Sequence, residues 1–338
     1  MTKFLAYAAA FIATYIGTAA FRKWSVGRGI VDVPNERSSH VKPTPRGGGI
    51  VFVIVVLIGY AVLATTTNAL PWTYVVAGLL VAGVSWIDDL RSISFAWRLL
   101  IHFVAAGVLL ADRAAHSANT ISGVLALAFA ILWIVWMINA YNFMDGIDGI
   151  ASVQAVIAAL SWTVFAIVHQ RYELSVFAGL LAAAVSGFLI HNWQPARIFM
   201  GDVGSAFLGF TLASFPFLPK ENGTLAFDLY IAAGIVFLWF FAFDTLLTLA
   251  RRIWRREKVW EAHRSHLYQR MVIGGMEHST VTLIYGTFAA VLSGIFIISS
   301  QQSLSGFHPA GAAAVAATSV ILSAALFLLS QRKATNSR

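Results

Sequence analysis

Most of this chain is laid out as apolar stretches long enough to approach the thickness of a bilayer, separated by short polar segments. About eleven such stretches can be read: roughly 4–21, 48–65, 72–87, 97–111, 121–141, 150–168, 174–190, 204–218, 228–249, 280–298 and 310–329. In hydrocarbon a backbone N–H or C=O finds no water, so a crossing segment must satisfy its own polar groups as a helix. The expected fold class is therefore all-α, a polytopic integral membrane protein with about eleven transmembrane helices. The stretches at 72–87, 97–111 and 204–218 are short, which signals a broken helix, a thinned bilayer or flanking residues that reach the interface. Charged residues make up 11% of the chain, against about 25% in a soluble domain. Cysteine is absent, which excludes disulfides and thiolate metal centres. The opening stretch, with one early Lys and no small-residue cleavage site, reads as the first span and not as a removed signal peptide.

The formal charge of +8 would suit nucleic acid if it were clustered on one surface, but it sorts by membrane side. With the C-terminus cytoplasmic, nineteen of the 23 Lys and Arg fall in the inner segments, which is the positive-inside pattern. The same orientation puts the acids, amides, glycines and histidines into five inner segments, while the outer loops are short and ordinary. Chemistry gathered on one side points to a cytoplasmic active site at the membrane surface. A conduction path would scatter polar groups through the depth of several spans.

Four motifs carry that chemistry. The densest is Asn139-Ala-Tyr-Asn142-Phe-Met-Asp145-Gly-Ile-Asp148-Gly149, at the end of the 121–141 stretch. Two amides and two carboxylates at a membrane helix end are costly unless they meet water, cations or a metal. Asp88-Asp89 closes the third span. Adjacent carboxylates repel unless a cation is near, and acids at a helix C-terminus oppose the macrodipole, so an acidic cap offset by Arg91 is the less comfortable reading. Hard oxygen donors of this kind suit Mg²⁺. In Phe199-Met-Gly201-Asp202-Val-Gly204-Ser205, Asp202 heads a short span, where it is a candidate N-cap as well as a ligand. Phe199 there is a candidate stacking surface for a base or an interfacial aromatic. The last inner loop holds His263-Arg264-Ser265-His266, suited to phosphate oxygens, with Arg264 able to bind them bidentately. A zinc site would need more ligands than this loop offers. Ahead of all four, Lys42 and Arg46 flank Gly47-Gly48-Gly49, whose N–H groups at a helix N-terminus would form an anion site. His278 and the other isolated histidines have no assigned role, and Asp244, inside the ninth span, should face protein or a cavity.

Together these motifs resemble the polyprenyl-phosphate N-acetylhexosamine-1-phosphate transferase family (glycosyltransferase family 4). The resemblance runs from about Asp32 to His266 and rests on Asp88-Asp89, Asn139-x-x-Asn142-x-x-Asp145-Gly-x-Asp148-Gly149, Phe199-Met-Gly-Asp202-x-Gly-Ser205 and the late His loop. The stretch from Asp32 to Gly49 looks most like the branch that starts O-antigen and other surface glycans with UDP-linked FucNAc, QuiNAc or GlcNAc. The resemblance implies one membrane transferase domain over 1–338 with cytoplasmic loops near 22–47, 88–97, 142–149, 191–203 and 250–279. The implied location is a bacterial inner membrane, the orientation read from the charges would leave the N-terminus periplasmic, and a homodimer is a compatible assembly. The implied reaction moves a sugar 1-phosphate from a UDP-N-acetylhexosamine to undecaprenyl phosphate and releases UMP, with Mg²⁺, or Mn²⁺ in its place.

Carried over by motif, Asp88, Asp89, Asp145, Asp148, His263 and His266 form the catalytic set, with Asp88 the candidate base toward the lipid phosphate. Arg46, Lys42, Asn139, Asn142, Phe199 and Arg264 would bind substrate, and Asp89 with Asp202 would lie around the metal. Two departures limit the match. Ser265 stands where a related branch has another His, and Leu90-Arg91 after the Asp pair departs from the basic spacing of the peptidoglycan enzymes. A Mg²⁺-dependent intramembrane prenyltransferase is the rival enzyme reading, but it leaves Gly-Asp-x-Gly and the His loop unexplained. An ion-coupled transporter would need mid-membrane acids, and Asp244 is the one candidate.

Overall fold

The computed structural model describes residues 2–34, 43–67, 70–117, 120–218, 224–258, 263–301 and 309–331. In chain order these form α1 (Thr2–Gly27), the strands β1 (Val31–Asp32) and β2 (Thr44–Pro45), α2 (Gly49–Thr67), α3 (Thr73–Leu90), α4 (Phe95–Leu109) and α5 (Ala111–Ser117). There follow α6 (Ile121–Met144), α7 (Ile150–Val168), α8 (Tyr172–Asn192), α9 (Gly201–Ser214), α10 (Thr224–Phe237), α11 (Trp239–Trp254), α12 (Leu267–Ile273), α13 (His278–Ser300) and α14 (Pro309–Leu329). The two strands pair antiparallel over only two residues each, Val31 with Pro45 and Asp32 with Thr44, so the expectation of a helical membrane protein holds.

Eight of the described helices are long and apolar enough to cross a bilayer, and the pair Asp228–Phe237 and Trp239–Trp254, bent by 71° at its break, makes up to nine. About eleven were expected. The stretches at 97–111 and 204–218 are helical, but α4 has 15 residues and α9 has 14, short of the roughly 20 that a perpendicular crossing needs. The 72–87 stretch, read as short, extends to 18 residues in α3 because the helix continues through Asp88 and Asp89.

Burial separates inner from outer helices. In α8, 72% of the apolar window is buried and in α7 61%, whereas α1 and α14 bury 17% and 22%. The core helices therefore pack on protein and the outer ones turn apolar side chains such as Ile12, Ile16, Val320 and Ile321 outward, as a chain solvated by hydrocarbon should. Within the bundle, aromatic rings fill the gaps between helices: Trp162 packs against Phe165, Phe215, Tyr230 and Phe237.

Short polar connections bring the motif-bearing helix ends together at one end of this bundle. The ends of α3, α6 and α8, the starts of α4, α7 and α9, and the segment between α11 and α13 all meet there, as the bonds below show.

Candidate active site

At the centre of that end, α3 is tied to the start of α9. Asp89, 4% exposed, accepts the Asp202 N–H on Oδ1 and the Val203 N–H on Oδ2, both at 3.0 Å. The carboxylate thus takes up two of the N–H groups that the first turn of α9 cannot satisfy within the helix. Arg46 donates from its guanidinium to the Asp89 carbonyl. The N-cap role, one of the two open to Asp202, is therefore taken by Asp89, 113 residues earlier, and the Asp202 side chain is left for other partners.

Those partners are Arg98 and Asn142. The Arg98 guanidinium pairs with Asp88 Oδ2 and lies 3.1 Å from Asp202 Oδ2. Asn142 Nδ2 donates to the same Asp202 oxygen at 3.3 Å, while its Oδ1 accepts from the Ser205 hydroxyl at 2.7 Å. Asp88 also accepts the Ile93 N–H at 2.7 Å, which holds it at the α3–α4 turn. Arg98 was not among the residues singled out. The available signal was one cation early in an otherwise apolar helix, ten residues after an Asp pair in need of one.

Asp145 follows the last residue of α6 and is half-buried. Loss of solvation pushes its carboxyl well above the ordinary carboxylate range, and the charges of Asp202, Asp89 and Asp148 push it the same way. Among the described residues it accepts no hydrogen bond. Asp148 faces another way: Oδ2 accepts the Ala196 N–H at 3.1 Å and lies 3.6 Å from His278 Nδ1, while its carbonyl accepts the Thr282 hydroxyl at 3.0 Å. It therefore joins the 145–149 turn to the 193–200 loop and to α13, which gives His278 a partner.

The His loop reaches the same cluster. His266 Nδ1 lies 3.2 Å from Asp244 Oδ1, and the His263 and His266 rings are 5.0 Å apart. Tyr268 donates its hydroxyl to the Phe143 carbonyl at 2.9 Å, so the loop is tied to the Asn142–Asp145 turn. Burial and the nearby charges of His266 and Arg252 hold the His263 imidazole down to about 4, so it is neutral at pH 7 and could meet an anion only through a hydrogen bond. Arg264 is half-buried beside it. Asp244, expected to face protein or a cavity, is fully buried among hydrogen-bond donors of the protein.

The remaining expected residues fall as follows. Asn139 turns its amide back to the Val135 carbonyl of its own helix at 2.7 Å. Phe199 is half-buried, and its backbone N–H bonds the Pro45 carbonyl at 2.8 Å. Lys42 lies outside the described residues. The anion site expected at the glycines is not formed by Gly48 and Gly49, because their N–H groups donate to the Phe199 and Met200 carbonyls at 3.0 and 2.8 Å. The glycines serve close backbone packing.

As a cation site, the cluster contains no group of three or more His, Asp or Glu among the described residues arranged to enclose a metal. Zinc, which takes most of its ligands from the protein, does not fit. Mg²⁺ does, since it keeps water and substrate phosphates and is held by one or two carboxylates. Asp145, crowded by acids and with no hydrogen-bond donor among the described residues, and Asp202, with a third of its side chain exposed, would supply that donor set.

Comparison with known proteins gives the same direction. The family model described as Glycosyl transferase family 4 matches residues 71–219, which contain Asp88, Asp89, Asn142, Asp145, Asp148 and Asp202. A probable undecaprenyl-phosphate N-acetylglucosaminyl 1-phosphate transferase of Bacillus subtilis is 27% identical over 288 residues, covering 83% of this chain and 80% of the relative. A decaprenyl-phosphate N-acetylglucosaminephosphotransferase of Mycobacterium tuberculosis is 30% identical over 364 residues, covering 94% and 86%. A phospho-N-acetylmuramoyl-pentapeptide-transferase of Streptococcus uberis is 33% identical over 158 residues, 46% of this chain and 45% of that one.

Proposed function

The chain belongs to the polyprenyl-phosphate N-acetylhexosamine-1-phosphate transferases of glycosyl transferase family 4, and from that premise we propose that it moves an N-acetylhexosamine 1-phosphate from a UDP-sugar to undecaprenyl phosphate. One P–O bond forms between an acceptor phosphate oxygen and the sugar-bearing phosphorus. The bond from that phosphorus to the oxygen shared with the uridine-linked phosphate breaks, and UMP leaves. The observation that carries the reading is the Asp88–Arg98–Asp202–Asn142 chain of contacts, which joins three separate motifs into one acidic and cationic surface at the bundle end.

Phosphoryl transfer asks a protein mainly to position two phosphates and offset their charge. Arg98, Arg46, Arg264 and the His loop offer donors to phosphate oxygens. Asp88, fixed by Arg98 and the Ile93 N–H, is the candidate base toward the lipid phosphate. Mg²⁺ would be held by Asp202 and Asp145, and when bound it neutralises charge on diphosphate oxygens. Asp89 has each carboxylate oxygen engaged by a backbone N–H, so its first task is to place Asp202. Asn142 orients that same carboxylate.

We place the site on the cytoplasmic face of a bacterial inner membrane, supported by the positive-inside count taken over eleven crossings, α4 and α9 included. N-acetylglucosamine is the first sugar to test because the Bacillus and Mycobacterium relatives are named for it. The Asp32–Gly49 stretch keeps FucNAc and QuiNAc, and with them O-antigen or another surface glycan, in the panel. The test is UMP release in nanodiscs with undecaprenyl phosphate, Mg²⁺ and UDP-GlcNAc, UDP-FucNAc or UDP-QuiNAc. Release that requires both lipid and metal is expected; pyrophosphate release from a prenyl diphosphate, with no UMP from any sugar, would favour the prenyltransferase reading.

A further inference from the structure

We propose that Asp244 is a positioning residue that fixes the His266 ring so that its Nε2 edge is presented to the diphosphate of the nucleotide-sugar, an inference that rests on the transferase reading above. Asp244 has no exposed surface and lies in α11, part of the bent apolar pair, where a carboxylate is expensive unless fully satisfied. Five donors satisfy it. Oδ1 accepts the Leu267 N–H at 2.9 Å, the Thr248 hydroxyl at 3.1 Å and His266 Nδ1 at 3.2 Å. Oδ2 accepts the Tyr285 hydroxyl at 2.7 Å and the Tyr268 N–H at 3.3 Å.

A carboxylate only accepts here, so His266 Nδ1 carries the hydrogen. Nε2 is then the polar edge of the ring with no partner among the described residues. The ring has little freedom to turn away. Phe143, His263 and Tyr268 surround it at centroid distances of 6.4, 5.0 and 5.9 Å. Phe143 is the residue after Asn142, whose amide bonds Asp202, and two before Asp145. The ring is therefore held against the Asn142–Asp145 turn, through Phe143, by a carboxylate with no exposed surface of its own.

The test uses the full chain in nanodiscs with Mg²⁺. UDP affinity is measured by titration calorimetry, and UMP release from UDP-GlcNAc and undecaprenyl phosphate is followed in parallel. Four variants are compared with wild type: Asp244→Asn, Tyr285→Phe, His266→Asn and the Asp244→Asn/His266→Asn double. Tyr285→Phe removes one donor to Asp244 and leaves the ring alone. His266→Asn keeps a donor for Asp244 and lacks the outward edge.

Asp244→Asn and His266→Asn should each weaken UDP by about tenfold or more and raise KM for the UDP-sugar more than they lower kcat. Tyr285→Phe should stay within about twofold of wild type, and the double variant should be no worse than either single one. Wild-type UDP affinity in Asp244→Asn, or equal losses in Asp244→Asn and Tyr285→Phe, would overturn the proposal. If Asp244→Asn does not fold, His266→Asn decides, and wild-type affinity there overturns it. UDP binding without UMP release would remove the transferase reading while the affinities still judge the positioning role. A wild type that binds no UDP would remove both.

Discussion

Gly49 and Gly204 lie backbone against backbone: a Cβ on Gly49 would stand 2.5 Å from the Gly204 Cα, and one on Gly204 would stand 2.9 Å from the Gly49 Cα. Real Cβ atoms do not approach backbone so closely. Beside this contact, a Cβ on Gly201 would meet the Gly47 Cα at 2.8 Å and Asp89 Oδ2 at 2.7 Å. The glycine triplet of the first loop and the Gly-Asp-x-Gly motif are thus two halves of one joint, and the joint sets where α9 and Asp202 sit.

Gly49→Ala should therefore lower stability by about 1–3 kcal/mol, the usual cost of overpacking, and lower transfer with it. Gly83→Ala in α3, with nothing within 4 Å of the added carbon, is the control. Thermal unfolding in detergent checks both, with a drop expected for Gly49→Ala and none for Gly83→Ala.

Arg98 stands between Asp88 and Asp202, and its removal leaves two carboxylates facing each other. Arg98→Ala should reduce UMP release on the order of 100-fold, as loss of a charge-stabilising donor commonly does. Arg98→Lys keeps the charge without the planar fork and should fall between. Equal activity in the alanine variant and wild type would remove Arg98 from the site.

Asp89→Asn and Asp202→Asn should separate structure from chemistry. Both should abolish transfer. Asp89→Asn also turns an N–H toward a backbone N–H of α9, a mismatch worth about 1–3 kcal/mol, so its unfolding temperature should drop. Asp202→Asn should keep its unfolding temperature in chelator and lose the rise that added Mg²⁺ gives wild type, a ligand-linkage effect.

His263 gives a pH prediction. Its folded value is lowered to about 4, below the ordinary value near 6.5 for histidine, so the unfolded chain binds a proton before the folded one does. Stability from this group is present above about pH 6.5 and is lost as pH falls toward 4. His263→Gln, which cannot titrate, should show a smaller drop in unfolding temperature between pH 7 and pH 4.5. Identical drops would show that His263 is not shielded.

Local pattern was enough for much of this. Hydrophobic length specifies each helix, because hydrocarbon leaves the backbone no alternative. A polar break such as Asp145-Gly146 or Trp193–Pro195 ends a helix wherever the chain is read. The motif order and the side on which Lys and Arg gather require no contact map, so the helical class and the acidic set around Asp88, Asp145 and Asp202 were legible.

Pairings across the bundle were not. Asp89 takes the backbone of Asp202 and Val203 from more than a hundred residues away, Arg98 reaches Asp202, and Gly48 and Gly49 donate to Phe199 and Met200. Nothing near those residues in the chain distinguishes them from an ordinary cap, anchor or turn. The sequence by itself determined where helices form and which chemistry is present, because helix formation and membrane partition act over a few turns. Only the tertiary structure decided which carboxylate is spent on a helix end and which is left for a ligand, because that depends on which donors the packed helices bring within 3 Å.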